Sequence, residues 1–300
     1  MKKVTLKDIA SRAGVSIATV SYVLNNKTNQ KISKEIKEKV LETAYDLNYV
    51  PNIAARTLVN KKSSLMGIVI IKNDNEKPWE KFLYLDFIEA IVKIMSRNNY
   101  DIILSTVSVS RPKIDIVPKR EIEGVFLINV RGDIFYKLST KISAPLVIVD
   151  SLIDDTYFYK INWNIEKAVA SIKKNYKKED LFLVTNKFNN KSFMEYIEKT
   201  FKRELVYEMD SVEGLKKFLE ENKDRKGIIV NEFIGQIATR FIDKNNITVI
   251  CICGSEYLIE DSVNKIVFSN KKKASVACSQ LIELINKKYD RKKDIYINHD

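Results

Sequence analysis

From Leu65 onward the chain carries eight short apolar runs, LMGIVII, YDIILST, GVFLINV, PLVIVD, DLFLVT, GIIVN, TVICIC and KIVFSN, separated by stretches of helical spacing. A run that is apolar at nearly every position, rather than at every second one, is buried on both faces. Such runs alternating with helices indicate a parallel sheet with helices on each side. Helices are expected at 82–96, 165–175 and 235–244, and eight strands fit two doubly wound sheets better than one. The stretch 105–121 holds Pro112 and Pro118 and shows no helical stripe, so no helix is expected after the second strand.

The first 64 residues follow a different pattern. Thr5 with Asp8 three residues later forms a T-x-x-D capping box, which starts a helix over Leu6–Ala13. Gly14 supplies a turn and Ser16 caps a second helix over Ile17–Leu24, whose apolar stripe is Val20, Val23 and Leu24. A third helix runs from after Ser33 to about Leu47, with Ile36, Val40, Leu41 and Ala44 closing a small three-helix core. Residues 1–50 therefore read as an all-α helix-turn-helix domain. Residues 51–64, PNIAARTLVNKKSS, form a short amphipathic turn that decays into a lysine-rich connector, and 65–300 form an α/β body.

Charge follows the same division. The chain has 51 Lys and Arg against 39 Asp and Glu, a net of +12, and the first 64 residues alone account for +7. A basic head on a milder body is the footprint of nucleic-acid binding, against the plainer reading of a solvated lysine-rich surface. No apolar run reaches the roughly 18 residues of a membrane span, and the N-terminus lacks the apolar segment of a secretory signal. A soluble, cytoplasmic protein with no membrane partner is expected.

Enzyme chemistry finds few candidates. The single histidine, His299, stands next to the last residue, so Ser-His-Asp and Cys-His mechanisms lack a base in a folded site. Three cysteines cannot make a disulfide framework. Cys251 and Cys253 stand two apart on an apolar strand, which turns both to one face as core thiols, and the pair lacks further ligands for zinc. Neither a P-loop nor a G-x-G-x-x-G occurs. No catalytic residue, metal or cofactor is expected.

The helix–glycine turn–helix arrangement can instead place its second helix in a DNA major groove. Ile17, Ala18 and Tyr22 would then lie on the outward face, while Ser16, Thr19, Ser21 and Asn25 are short hydrogen-bonding residues suited to phosphate oxygens. A plain helical cap would show the same spacing.

Over residues 4–60, VTLKDIASRAGVSIATVSYVLN and LNYVPNIAARTL resemble the head and hinge of the lactose-repressor-type (LacI/GalR) family of bacterial transcription regulators. The resemblance implies a homodimer on a near-palindromic double-stranded DNA operator, with Thr5 and Leu6 joining the DNA-contacting set of the head. It also implies a hinge helix that forms only on DNA, in which Asn52, Ala55 and Arg56 accompany a leucine, by position Leu58, that wedges into the minor groove and kinks the duplex. One position departs from the pattern. Where the family usually carries Arg or His this chain has Tyr22, whose phenol makes one hydrogen bond rather than a bidentate pair, so a different half-site is expected.

The body resembles the family's two-lobed effector domain, which looks like a periplasmic sugar-binding protein and also dimerises. The resemblance puts Asp150, Asn162, Asn231 and Glu232 in the effector site. Asp150, Asn231 and Glu232 follow strands at their C-terminal ends, where open α/β sheets bind ligands and where turn formation or helix capping is the competing role. The family's clamping arginine falls at or next to Ser192, with Lys191 the only cation at hand, and its aspartate pair is replaced by Cys253 and Gly254. Without a planar bidentate arginine and paired carboxylates, any small-molecule effector is not expected to be an ordinary sugar. A regulator switched by a protein co-regulator is the alternative, ahead of a solute-binding module.

Overall fold

The structure is a computed structural model that describes residues 4–24, 32–47, 49, 63–114, 120–176, 181–288 and 293–300. The chain divides into two compact units, Met1–Lys61 and Lys62–Asp300.

In the first unit, α1 spans Leu6–Ala13, α2 Ile17–Leu24 and α3 Lys34–Asp46. The capping box forms as the sequence predicts: the Thr5 amide donates to the Asp8 carboxylate at 2.8 Å, and the Asp8 amide donates back to the Thr5 hydroxyl at 3.4 Å. Gly14 ends α1 in the left-handed region at φ 66°, and its N–H bonds the Ala10 carbonyl. Ile9, Ala10, Ala13, Val20, Val23, Val40 and Ala44 form the buried core. Leu41 does not join it and is 52% exposed. On α3 the inward line passes through Ile36, Val40 and Ala44 at four-residue steps, and the residue after Val40 is turned about 100° away from it.

The second unit contains two parallel sheets. The first has six strands in the order β11-β5-β4-β3-β1-β2: β1 is Leu65–Lys72, β2 Asp101–Ser108, β3 Gly124–Ile128, β4 Leu146–Val149, β5 Tyr159–Trp163 and β11 Asp294–Ile297. The second has five in the order β10-β9-β8-β6-β7: β6 is Phe182–Thr185, β7 Val206–Glu208, β8 Gly227–Val230, β9 Ile247–Cys251 and β10 Asn264–Val267. Among the described residues every strand pairing is parallel. The chain enters the second sheet after β5 and returns to the first at β11, which makes two lobes. The helices of this unit are α4 (Leu85–Arg97), α5 (Gly132–Ser139), α6 (Ile165–Lys173), α7 (Lys191–Glu198), α8 (Val212–Glu221), α9 (Glu232–Ala238) and α10 (Asn270–Ile285). α10 follows the second sheet in sequence but packs on α4 and on β3, β4 and β5 of the first.

All eight expected runs are strands, and β5, β7 and β11 add three that the runs did not mark. The helix expected at 235–244 begins earlier, at Glu232, because the Asn231 side chain accepts the Phe233 N–H at 2.8 Å and starts the helix there. The described residues between β2 and β3 contain no helix. Cys251 and Cys253 are both buried thiols but enter different apolar clusters. β9 ends at Cys251, so the two-residue alternation that would have put both on one face stops there.

Candidate nucleic-acid interface and ligand cleft

In the head, α2 buries Val20 and Val23 and turns Ile17 and Ala18 outward, Ile17 being 49% exposed. Ser16 caps this helix: its Oγ accepts the Thr19 N–H at 3.0 Å and lies 2.9 Å from the Thr19 hydroxyl. Thr19, Ser21 and Tyr22 are half-buried along its flanks, Thr5 is exposed, and Leu6 packs against the core from its edge. One short helix thus presents small apolar groups at its N-terminal turn, flanked by hydroxyls, on a base stiffened by two caps. Asn25, Asn52, Ala55, Arg56 and Leu58 lie outside the described residues.

In the body, the effector-site residues of the resemblance fall into two groups. Asp150, Asn162, Asn231 and Glu232 are buried where strands of the two sheets end, whereas Lys191 and Ser192 are exposed on the first turn of α7, with Lys191 3.6 Å from Glu195. The buried four already have protein partners. Asp150, at the end of β4 with φ 50°, accepts the Lys273 ammonium at 2.5 Å. Lys273 is 1% exposed and its Nζ sits 4.0 Å from the Trp163 ring centroid and 5.1 Å from that of Phe87, so two aromatic faces and one carboxylate hold the cation. Burial pushes the Asp150 carboxyl up and the Lys273 amine down, each opposed by the charge of the other.

Glu232 places its carboxylate in a ring of backbone amides, accepting from Ile252 at 2.9 Å, Cys253 at 3.0 Å and Ser255 at 2.8 Å. Asn162 accepts the Ser151 N–H at 2.9 Å. Asn231, at φ 95°, donates to the Trp79 carbonyl at 3.2 Å and to Asn186 Oδ1 at 2.9 Å.

Several residues here escaped the sequence reading. Lys273 sits in the run KKK, which suggests a solvated surface. Its signal was the spacing, since Lys273, Ala274, Ala277, Cys278 and Leu281 make one buried stripe of α10. Asn190, one residue before the expected pair, is the more connected: its amide donates to the carbonyls of Val130 at 2.9 Å and Leu152 at 3.1 Å, and its Oδ1 caps α7 through Phe193 N–H. Burial, with Asp150 and Cys253 nearby, pushes the Tyr84 hydroxyl well up.

Residues 5–52 match the family described as bacterial regulatory proteins, lacI family. The HTH-type transcriptional regulator MalR of Streptococcus pneumoniae serotype 4 is 30% identical over 151 residues, which is 49% of this chain and 45% of that protein. The HTH-type transcriptional regulator RegA of Clostridium saccharobutylicum is 25% identical over 331 aligned residues, covering 99% of this chain and 97% of RegA. The ribose operon repressor of Halalkalibacterium halodurans is 30% identical over 50% of this chain and 44% of its own length. The matched region thus spans less than half of MalR and of the ribose repressor. Among solved structures, the lac repressor dimer bound to operator and the anti-inducer ONPF superposes with a TM-score of 0.76 at 16% identity, covering all of this chain and 97% of that one. The CelR–cellobiose complex gives 0.62 at 14% identity, covering 99% and 98%. These two share the fold. With a lacI-family match over residues 5–52, similarity to RegA along nearly its whole length and a two-lobed body that shares the lac repressor's fold, the chain resembles the LacI/GalR type of bacterial transcriptional regulators.

Proposed function

We propose that the protein is a sequence-specific DNA-binding repressor that works as a cytoplasmic homodimer on a near-palindromic operator, and is not an enzyme. The observation that carries the reading is the outward face of α2, Ile17 and Ala18, on a doubly capped helix-turn-helix that matches the lacI family over residues 5–52. Ile17 and Ala18 read thymine methyls by apolar contact, Tyr22 adds a single hydrogen bond, and Thr5, Leu6, Ser16, Thr19, Ser21 and Asn25 set the register on the backbone. Residues 51–64 form the hinge, with Asn52, Ala55 and Arg56 at the minor groove around the Leu58 wedge. Changes in the angle between the lobes alter the separation of the paired hinges, and so whether both heads reach their half-sites.

DNA titrations test this directly. Because each neutralised phosphate releases condensed counterions, affinity for a selected palindromic duplex falls steeply with salt but stays above that for a random duplex. Equal affinity for the two at every salt concentration removes the reading. On the same palindrome, Leu58→Ala binds more weakly by about 1–3 kcal/mol with less bending in a circular-permutation gel.

An ordinary sugar is not the effector in this reading. Asp150 is held by Lys273, Glu232 by three amides, and Lys191 and Ser192 lie exposed, so these residues offer a polyol neither an arginine fork nor a free carboxylate pair.

A further inference from the structure

The segment 73–84, NDNEKPWEKFLY, leaves the end of β1 in the first lobe and reaches α4 of the same lobe, yet its central side chain belongs to the other lobe. Trp79 is 7% exposed and packs in the core cluster of the second lobe, where every other fully buried member comes from residues 182–263. Its carbonyl accepts the Asn231 amide at 3.2 Å, so this buried polar group is engaged by the chain's own backbone. Two further contacts of the segment cross the same boundary: Lys77 lies 3.6 Å from Asp210, and Phe82 stacks on Phe233 with centroids 5.1 Å apart.

Two features elsewhere on the boundary agree with this. Gly254 of the second lobe sits at φ 79° against Asp86 of α4, so close that any Cβ would collide with the Asp86 carboxylate. Asn189 of the second lobe donates twice to the first lobe, from its side-chain amide to the Ile71 carbonyl at 3.0 Å and from its backbone N–H to Asn129 Oδ1 at 3.0 Å. The two lobes therefore meet through direct protein contacts on both flanks of the segment.

We infer that residues 73–84 act as a built-in occupant of the ligand groove, with the Trp79 wedge and its Asn231-bound carbonyl holding the two lobes together without any small molecule. The inference rests on the reading of the body as a two-lobed regulatory domain and adds how its closure is set. Burying an indole in the opposite lobe removes a large apolar surface from water, and one hydrogen bond to a buried amide fixes its depth. A diffusible ligand that opened or re-closed the lobes would first have to lift this wedge, since it binds the groove only in competition with Trp79.

The test measures lobe separation in the full chain with no ligand added. Lys141→Cys and Lys223→Cys place spin labels at exposed points of the first and second lobes, and the three native cysteines are buried. The labelled parent should give one narrow distance by double electron–electron resonance. Trp79→Ala should shift it to longer and broader distances, and Trp79→Phe, which keeps an aromatic wedge and the carbonyl, should restore the narrow peak. Phe82→Ala, at a half-exposed site, provides a milder loosening that does not depend on Trp79→Ala folding. A broad distribution in the parent, or Trp79→Ala and Phe82→Ala profiles identical to it, overturns the inference. Titrating the same parent with palindromic and random duplexes keeps the two questions apart, because loss of DNA selectivity would sink the regulator reading and leave the distance result standing.

Discussion

Lys273 shows how a residue's identity can mislead where its spacing does not. A lysine reads as solvent-facing, yet this one lies on the buried stripe of α10 with its charge spent on Asp150. Removing one member of a buried pair leaves an uncompensated charge, whereas removing both charges together does not. Lys273→Met should therefore destabilise the body by about 3–5 kcal/mol, and Lys273→Met with Asp150→Asn should recover most of the loss. Denaturant unfolding of the three proteins checks this; additive losses would mean the pair is not coupled. Asp150 itself was legible from its place after an apolar strand. Its partner was not, because 123 residues separate them and no local pattern links the two.

At the scale of elements, legibility followed apolar composition rather than burial. The eight runs found each hold three or more consecutive apolar residues, although β2 and β10 are partly exposed edge strands, whereas β5, buried at every position, was missed because polar residues interrupt it. β5 reads YKINW, and it tolerates a buried Lys160 only because that ammonium donates to the carbonyls of Ile153 at 3.1 Å and Asp155 at 2.7 Å and pairs with Asp294 of β11 at 3.0 Å. β7 and β11 have three and four residues, too short for a periodic signal. Helix starts were clearer, since Thr5, Ser16 and Ser33 each cap as their chemistry suggests. The turn between α1 and α2 allows a clean test. At Gly14 a Cβ would meet nothing within 4 Å, so Gly14→Ala suffers only the left-handed backbone, about 1–2 kcal/mol. Hydrogen exchange in the intact chain should show α1 and α2 amides losing protection while those of β1 and β3 stay unchanged. Unchanged exchange in α1 and α2 would mean the turn relaxes to a right-handed form.

For the whole molecule, the two-lobed body shares the fold of the CelR–cellobiose complex, while the groups at its strand ends are committed to protein partners. Asp150 is engaged by Lys273, Glu232 by the amides of Ile252, Cys253 and Ser255, and Asn231 by Trp79 and Asn186. A sugar offers hydroxyls, each worth about 0.5–1.5 kcal/mol net as a neutral hydrogen bond, and would have to break a charge-assisted pair and a ring of amide bonds that are individually stronger. Common pentoses and hexoses should therefore leave the melting temperature of the full chain unchanged. Binding to the native state at a hundredfold excess over Kd would add about 2.7 kcal/mol, or roughly 5 °C and more for a body of this size, so the experiment resolves even modest affinity. Free sugars, phosphosugars and nucleobases, each with and without palindromic DNA, make a sufficient panel. A shift with an unmodified sugar would overturn the expectation, because it would require Asp150 or Glu232 to leave its present partner. A shift confined to phosphosugars would instead mark an anion that competes with Asp150 for Lys273, a buried ammonium whose release from Asp150 breaks one ion pair.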